Sequence, residues 1–426
     1  MSSRGSGTPS VALPSRICVS IGESSPERLL GLAYTEASRG ETLFEFCLES
    51  LSDPPDGPGA VRDFTRRWPH AWVIVTCRKG GGHFHGSTNQ QLRLLSASVD
   101  AGARIIDLEI ETASHTQQWM RQMGDRCLRI VSYHNYRSAP PLGPLLKKLE
   151  SVPADILKVA VTSKDAQTPC KLIERARQYA RPSIFLVMGS SGLPTRILGP
   201  CAGRSFTYAS HPSAAATAIG QLDVQTLRQT YRLDELSPET EFIAGLSCPA
   251  YDLSHSVEYN KVLSRAGPQI VYVPWTCLRT IPSLLFSPSM RTCGMALHRD
   301  FDSRAFGFAD RVDVEAKNAG IVDTLWKRHG KWCAGWKLGD SIAAILKTTL
   351  DRGANVAVIA DTPRQRRAIE RLISAHRYSV AVAAASHADC SVDVSRMVVN
   401  YFSKVEKIDL RGEVIRRQVE VWLGRQ

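Results

Sequence analysis

Eight short apolar runs recur between Arg16 and about Ser210, each separated from the next by an amphipathic segment, and this recurrence restricts the fold more than any other feature of the chain. The runs are ICVSI (17–21), LFEFCL (43–48), WVIVTC (72–77), RIIDLEI (104–110), LRIVSY (128–133), DILKVAV (155–161), SIFLV (183–187) and SFTYA (205–209). They are rich in β-branched residues and bounded by polar or turn residues, as buried strands are. Eight strand–helix units at this spacing predict a (β/α)8 TIM barrel, whose working residues gather at the C-terminal ends of its strands. Polar side chains fall in that zone: Glu45 and Cys47, Arg78, Asp107 and Glu109, His134 and Lys158.

Two of these residues are chemically pointed. Successive side chains alternate faces along a strand, so Leu157, Val159 and Val161 share one face while Lys158 and Ala160 take the other. A lysine aimed into an interior is costly unless paired, and desolvation favours its nucleophilic free amine. His134 stands where the preceding strand stops and could supply acid–base chemistry. Lysine and histidine on adjoining strands of a parallel barrel form a constellation suited to a Schiff base.

The remaining composition is that of a globular chain. The 426 residues are 43% hydrophobic and 22% charged, enough for two or three domains. No apolar run approaches a membrane span, and residues 1–15 read as a short disordered leader without a hydrophobic signal core. The eleven cysteines lack CxxC pairing or metal-ligand spacing, which predicts reduced thiols in a cytoplasmic and/or nuclear protein and no metal site. A net charge of +12 would suit an acidic partner, yet the positives are dispersed. Their densest cluster, Arg364-Gln365-Arg366-Arg367, is a solvated helix face of the ordinary kind, so neither nucleic acid nor membrane is expected as a partner.

The segments VTCRK, IIDLEIE, SYHNY, ILKVAV, MGSSGLPTR and SFTYAS…TAIGQL, spread across nearly all of Arg16–Leu233, resemble the type I 3-dehydroquinate dehydratases. The resemblance implies a barrel over residues 16–234 in which Lys158 forms an imine with the C3 carbonyl of 3-dehydroquinate. It implies that His134 removes the C2 proton and later protonates the leaving C1 hydroxyl, with Glu109 orienting His134. Arg196 matches the family's carboxylate-binding arginine, for which a bidentate guanidinium is well shaped. Ser20, Glu45, Arg78, Thr217 and Gln221 match further substrate contacts. There are departures. The family has Glu-x-Arg at the end of its second strand where this chain has Glu45-Phe46-Cys47; Lys79-Gly80-Gly81-Gly82-His83 lacks the usual acidic residue; and Asn135 replaces an aspartate.

Ser237-Pro238-Glu239-Thr240 reads as a linker, after which the chain resembles a shikimate dehydrogenase: a substrate-binding part over 240–340, then a truncated Rossmann-like remnant and C-terminal helix over 341–426. Ser254 and Ser256 keep part of the substrate-binding motif, with Val257 in place of its proline. Asp323 stands in an asparagine's place. The catalytic lysine has only Arg299 and Asp300 as counterparts, the catalytic aspartate aligns with Gly339, and its neighbouring asparagine with Lys337. Ala360-Asp361-Thr362-Pro363-Arg364 replaces the glycines that a dinucleotide pyrophosphate requires for close backbone approach. No bound cofactor is expected, and the second half is expected to be catalytically dead as a dehydrogenase.

A dehydroquinase barrel followed by a shikimate dehydrogenase is the order in fungal pentafunctional shikimate-pathway proteins and in their relatives, the quinate-pathway repressors. The resemblance to the repressors implies a regulatory or sensor protein that binds 3-dehydroquinate, quinate or a related small cyclic acid and contacts a transcriptional activator protein. The alternative is an active 3-dehydroquinate dehydratase. No GxxxxGK[ST] occurs, so the kinase-like domain that precedes the barrel in such repressors is not expected in this sequence. The sequence leaves the oligomeric state open.

Overall fold

The computed structural model describes residues 12–79, 84–214, 216–247, 253–267, 269–277, 280–297, 304–350, 354–360, 363–377, 379–380, 390–393, 398–401 and 406–424. The chain divides into two units, Met1–Glu239 and Thr240–Gln426.

The first unit is a barrel. Its strands are β1 (Ile17–Ile21), β2 (Leu43–Cys47), β3 (Trp72–Thr76), β4 (Ile105–Glu109), β5 (Leu128–Asn135), β6 (Ile156–Thr162), β7 (Ser183–Met188) and β8 (Thr207–Ala209). All their pairings are parallel, in the order β7-β6-β5-β4-β3-β2-β1-β8. β7 and β8 stand at the two ends of that order, so closure is nearly complete. Helices connect the strands, and Ser25 and Ser87 accept amide hydrogen bonds that start two of them (Pro26–Ser38 and Thr88–Asp100).

Strand alternation sorts the side chains. Phe44 and Phe46 face outward and meet the ring of Phe64, on helix Gly57–Arg67, edge-on at 4.9 and 5.4 Å. The inward positions are apolar at the start of each strand, where Cys18, Leu43, Ile74, Ile105, Ile130, Ile156 and Ile184 form one buried cluster. One inward step further along, the residues become Ser20, Glu45, Thr76, Asp107, Ser132 and Lys158, all buried. An apolar floor therefore carries a polar layer beneath the C-terminal mouth, the end at which TIM barrels do chemistry. β5 runs two residues beyond the expected LRIVSY (128–133) boundary, so His134 lies within the strand rather than just past it.

The second unit holds two sheets. Strands β9 (Glu241–Ser247), β10 (Ile270–Thr276), β11 (Thr292–Leu297), β12 (Arg311–Val312), β13 (Thr324–Arg328) and β14 (Lys331–Gly335) form a mixed sheet in the order β10-β9-β11-β13-β14-β12. Strands β15 (Asn355–Ile359), β16 (Ser379–Val380), β17 (Cys390–Asp393), β18 (Val398–Tyr401) and β19 (Glu406–Asp409) form the other, in the order β16-β15-β17-β18-β19. β15 is parallel to both of its neighbours, with helix Pro363–Ala375 crossing over as in a Rossmann βαβ unit, while β17, β18 and β19 run antiparallel. The final helix, Leu410–Trp422, buries Ile415, Val419 and Trp422 in the core of the first of these sheets.

Candidate active site

Lys158 lies in the middle of β6, where the register pairs it with Ser132 of β5, and His134 pairs with Ala160 one inward step nearer the mouth. Its side chain is 4% exposed. Nζ reaches three acceptors: Asp107 Oδ2 at 2.8 Å, the Tyr208 hydroxyl at 2.9 Å and Glu45 Oε1 at 3.5 Å. Two of the ammonium's three N–H groups are thus hydrogen-bonded, and Glu45 pairs with its charge. Nζ also lies 4.1 Å from the centroid of the Tyr208 ring.

Arg78 ties the same carboxylates together, at 3.2 Å from Glu45, 3.2 Å from Glu49 and 3.5 Å from Asp107. Two cations thus face three carboxylates. Burial alone would raise the Asp107 pKa, but Lys158 and Arg78 overcome it and hold the carboxyl well below its usual range. Glu49 is the uncompensated member: burial pushes it up, with Arg78 and the Thr76 hydroxyl (2.9 Å) only partly opposing. Cys47 fills the position of the family's arginine with a buried thiol, kept neutral by burial and by the nearby Glu45 and Glu49; it lies 3.8 Å from Ser20 Oγ.

His134 is held well below its ordinary pKa, first by burial and then by Arg78 and Lys158, with Asp107 opposing. It is therefore held as the neutral imidazole. Its Nδ1 has no hydrogen-bond partner among the described residues. Among the described residues no hydrogen bond joins Glu109 to His134: Glu109 Oε2 accepts the Lys79 amide at 3.0 Å, and Asp107 is the carboxylate whose charge raises the imidazole pKa. The chain leaves β3 just before Lys79, so that amide has no ladder partner and takes the carboxylate at the end of the adjoining strand.

Arg196, in the first turn of helix Leu193–Ala202, is 2% exposed and has no acidic partner among the described residues. Burial lowers its pKa to about 10, Nη2 donates to the Ile219 carbonyl at 3.2 Å, and Nε is unpaired. A buried guanidinium without a counter-ion is an anion site in waiting. The Ile219 segment is fixed by two glycines. Gly189 (φ +86°) donates its amide to Ile219, and a Cβ on Gly220 (φ +76°) would come within 2.5 Å of the Gly189 carbonyl oxygen. That close approach places Thr217 Oγ1 2.8 Å from Ser20 Oγ and 3.1 Å from Gln221 Oε1, while Ser20 donates to Glu45 at 2.5 Å.

The expected barrel residues Ser20, Glu45, Arg78 and Lys158 therefore belong to one connected polar system, with Thr217 and Gln221 joined through Ser20, while His134 lies within reach of the charges of Arg78, Lys158 and Asp107 without a hydrogen bond to them. Sequence reasoning placed Asp107 at the working end of the barrel without giving it a role, and did not single out Tyr208, Glu49 or Ser132. The alternation of IIDLE and FTY marks Asp107 and Tyr208 as inward, whereas Glu49 sits in a single helical turn after β2 and carries no periodic signal. Buried atoms left without partners gather here too: Asp107 Oδ1, Ser132 Oγ, His134 Nδ1, Arg78 Nε, Arg196 Nε and Gln221 Nε2. Buried polar groups are normally satisfied, so such a set marks a place for a polar ligand. Residues 80–83, including His83, lie outside the described residues, as does most of the 1–15 leader.

In the second unit, Ser254 and Ser256 lie on helix Leu253–Leu263, with Ser256 fully buried and Val257 exposed. Asp323 accepts the amides of Lys337 (2.8 Å) and Leu338 (2.7 Å) and the Thr324 hydroxyl (2.7 Å), and burial raises its pKa to about 6. Lys337 Nζ binds Asp340 at 2.7 Å and Asp313 at 3.4 Å. Arg299, Asp300, Asp361 and Thr362 lie outside the described residues. Among the described residues no cluster has the makings of a metal site, and no helix is long and apolar enough to cross a membrane.

Comparison with known proteins agrees with this geometry. A bifunctional 3-dehydroquinate dehydratase/shikimate dehydrogenase of Arabidopsis thaliana is 25% identical over 322 residues, 74% of this chain and 53% of that protein. The aligned length exceeds the whole first unit, so the likeness continues into the second. The chain thus spans about half the length of that relative. A 3-dehydroquinate dehydratase of Dehalococcoides mccartyi is 33% identical over 201 residues, 46% of this chain and 87% of that protein. Among solved structures, the dehydroquinate dehydratase and shikimate dehydrogenase of S. pombe AroM has 20% identity and a TM-score of 0.41, covering 84% of this chain and 73% of that one. The type I 3-dehydroquinase family model matches residues 17–238, just over half of the chain. The chain belongs to the type I 3-dehydroquinase family, with a shikimate dehydrogenase-like region fused behind the barrel.

Proposed function

We propose that the barrel is a Schiff-base 3-dehydroquinate dehydratase. Lys158 carries the reading: it is an inward, buried lysine with a neutral histidine on the adjoining strand. Its amine joins the C3 ketone as an imine. The protonated imine keeps the positive charge of the ammonium, so Asp107 and Glu45 stabilise it as they stabilise resting Lys158. That cation draws electrons from C2, and His134 removes the C2 proton and returns it to the departing C1 hydroxyl. Arg196 receives the ring carboxylate, and Ser20, Thr217 and Gln221 take ring hydroxyls. Hydrolysis then frees Lys158 and 3-dehydroshikimate. The test is ultraviolet detection of the conjugated product from 3-dehydroquinate with purified protein, with Lys158→Met as control. Product formed by the wild type and lost in the variant supports the reading; no product from the wild type overturns it.

The second unit is proposed not to act as a dehydrogenase, because Asp323, in the place of the family's asparagine, is committed to the amides that begin helix Lys337–Thr349. One observation favours a second reading for the whole chain, a dehydroquinate- or quinate-responsive regulator that contacts a transcriptional activator. Neutral Cys47 leaves the carboxylate cluster one cation short, which weakens catalysis more than it weakens ground-state binding. Measurable ligand binding without turnover would favour that reading.

A further inference from the structure

We propose that Tyr208 is a further catalytic residue, a proton relay for forming the imine at Lys158. The inference rests on Lys158 being the imine-forming lysine and deepens that reading. Among the described residues, Nζ touches Asp107, Glu45 and Tyr208. The first two are carboxylates shared with Arg78 and serve as acceptors. The Ser20 hydroxyl is spent on Glu45. Tyr208 is therefore the O–H group in contact with the reacting nitrogen.

Imine formation needs such a group. When Nζ adds to the ketone, the carbonyl oxygen becomes bonded to the same carbon as Nζ, about 2.3 Å from it by ordinary bond geometry. A hydroxyl 2.9 Å from Nζ is within reach of that oxygen without moving the strand that carries it. The proton count closes when this one group relays twice. The ammonium holds three protons; one stays on the iminium nitrogen and two leave with the oxygen as water. First the Tyr208 oxygen accepts a proton from the ammonium while its own O–H protonates the ketone oxygen, freeing the lone pair that forms the C–N bond. Then it accepts a proton from the carbinolamine nitrogen while passing its own to the carbinolamine hydroxyl, the C–O bond breaks, water leaves, and the phenol ends as it began. Burial, together with Glu45 and Asp107, holds the phenol pKa far above its usual value, so Tyr208 works as a neutral relay and does not rest as phenolate. The edge-on contact of Tyr208 with Phe206, at 5.2 Å, fixes the ring, and a phenylalanine at 208 would keep that packing while losing only the hydroxyl.

The experiment is rapid mixing of the purified full chain with 3-dehydroquinate, quenching with borohydride at successive times, and mass measurement of the reduced Lys158 adduct. Tyr208→Phe is expected to slow adduct formation about 100-fold, the lower range for a positioned acid–base group, with its final yield near that of wild type. The wild-type rate should also fall in deuterium oxide, and that isotope effect should shrink in Tyr208→Phe, which a merely structural hydroxyl would not produce. Adduct formation by Tyr208→Phe within twofold of the wild-type rate, or no isotope effect in the wild type, overturns the relay while leaving the dehydratase reading intact. A wild type that gives no adduct overturns both.

Discussion

Lys158 Nζ lies 2.8 Å from Asp107 Oδ2, joining β6 to β4 across the polar layer of the barrel. Both side chains are buried, so removing one partner strands the other's charge. Asp107→Asn is expected to destabilise the first unit by about 3 kcal/mol, the lower end for a broken buried pair, since Glu45 remains near Lys158. Denaturant unfolding checks this. A midpoint unchanged from wild type would mean that the pair contributes nothing to folding.

Cys47 is the place to restore the missing cation. Among the described residues, Glu45, Glu49 and Asp107 have Lys158 and Arg78 as their cationic partners. Cys47→Arg should raise kcat/KM for 3-dehydroquinate by about 10–100-fold, the scale of one charge-assisted contact regained in the transition state. Turnover unchanged in a folded variant would show that other parts of the cradle limit the reaction and would favour the regulatory reading.

His134 makes stability depend on pH in a definite direction. Its folded pKa is depressed, so below about 6.5 the unfolded chain takes up a proton that the folded chain refuses. Folding stability therefore falls as pH drops from that value toward the folded pKa, by up to about 1.4 kcal/mol per pH unit from this group. Comparing wild type with His134→Gln at several pH values isolates the effect. Equal slopes in the two proteins would contradict a neutral, buried His134.

In the second unit, Asp323→Ala leaves two helix-starting amides and a hydroxyl without their acceptor, at a cost of about 2–4 kcal/mol. The loss should appear as a lower unfolding midpoint for that unit. Neither wild type nor variant is expected to form NADPH from shikimate or quinate; substrate-dependent NADPH formation by the wild type would refute the assignment of Asp323 to a structural task.

Much of the barrel was legible because strand periodicity is strictly two. Alternation alone sent Lys158 inward against Leu157 and Val159, and the same rule applied to RIIDLEI sends Asp107 inward with Ile105. Partnership was harder to read. Glu109 and His134 were expected to meet, yet the backbone amide of Lys79, which no side-chain pattern reveals, takes the carboxylate. Tyr208 reads as another aromatic of an apolar strand; its hydroxyl matters only because barrel closure brings β8 round to within reach of β6. The pairing of Lys337 with Asp313 likewise depends on loops that bring distant positions together, whereas its pairing with Asp340, three residues on along the same helix, follows from helical spacing.

The most direct measurement is borohydride reduction of the purified protein with 3-dehydroquinate at equilibrium, followed by peptide mass mapping. The expected result is a single added mass on the peptide containing Lys158, absent without ligand and absent in Lys158→Met. No adduct, or an adduct on another lysine with Lys158 unmodified, would contradict a Schiff-base site at the centre of this barrel.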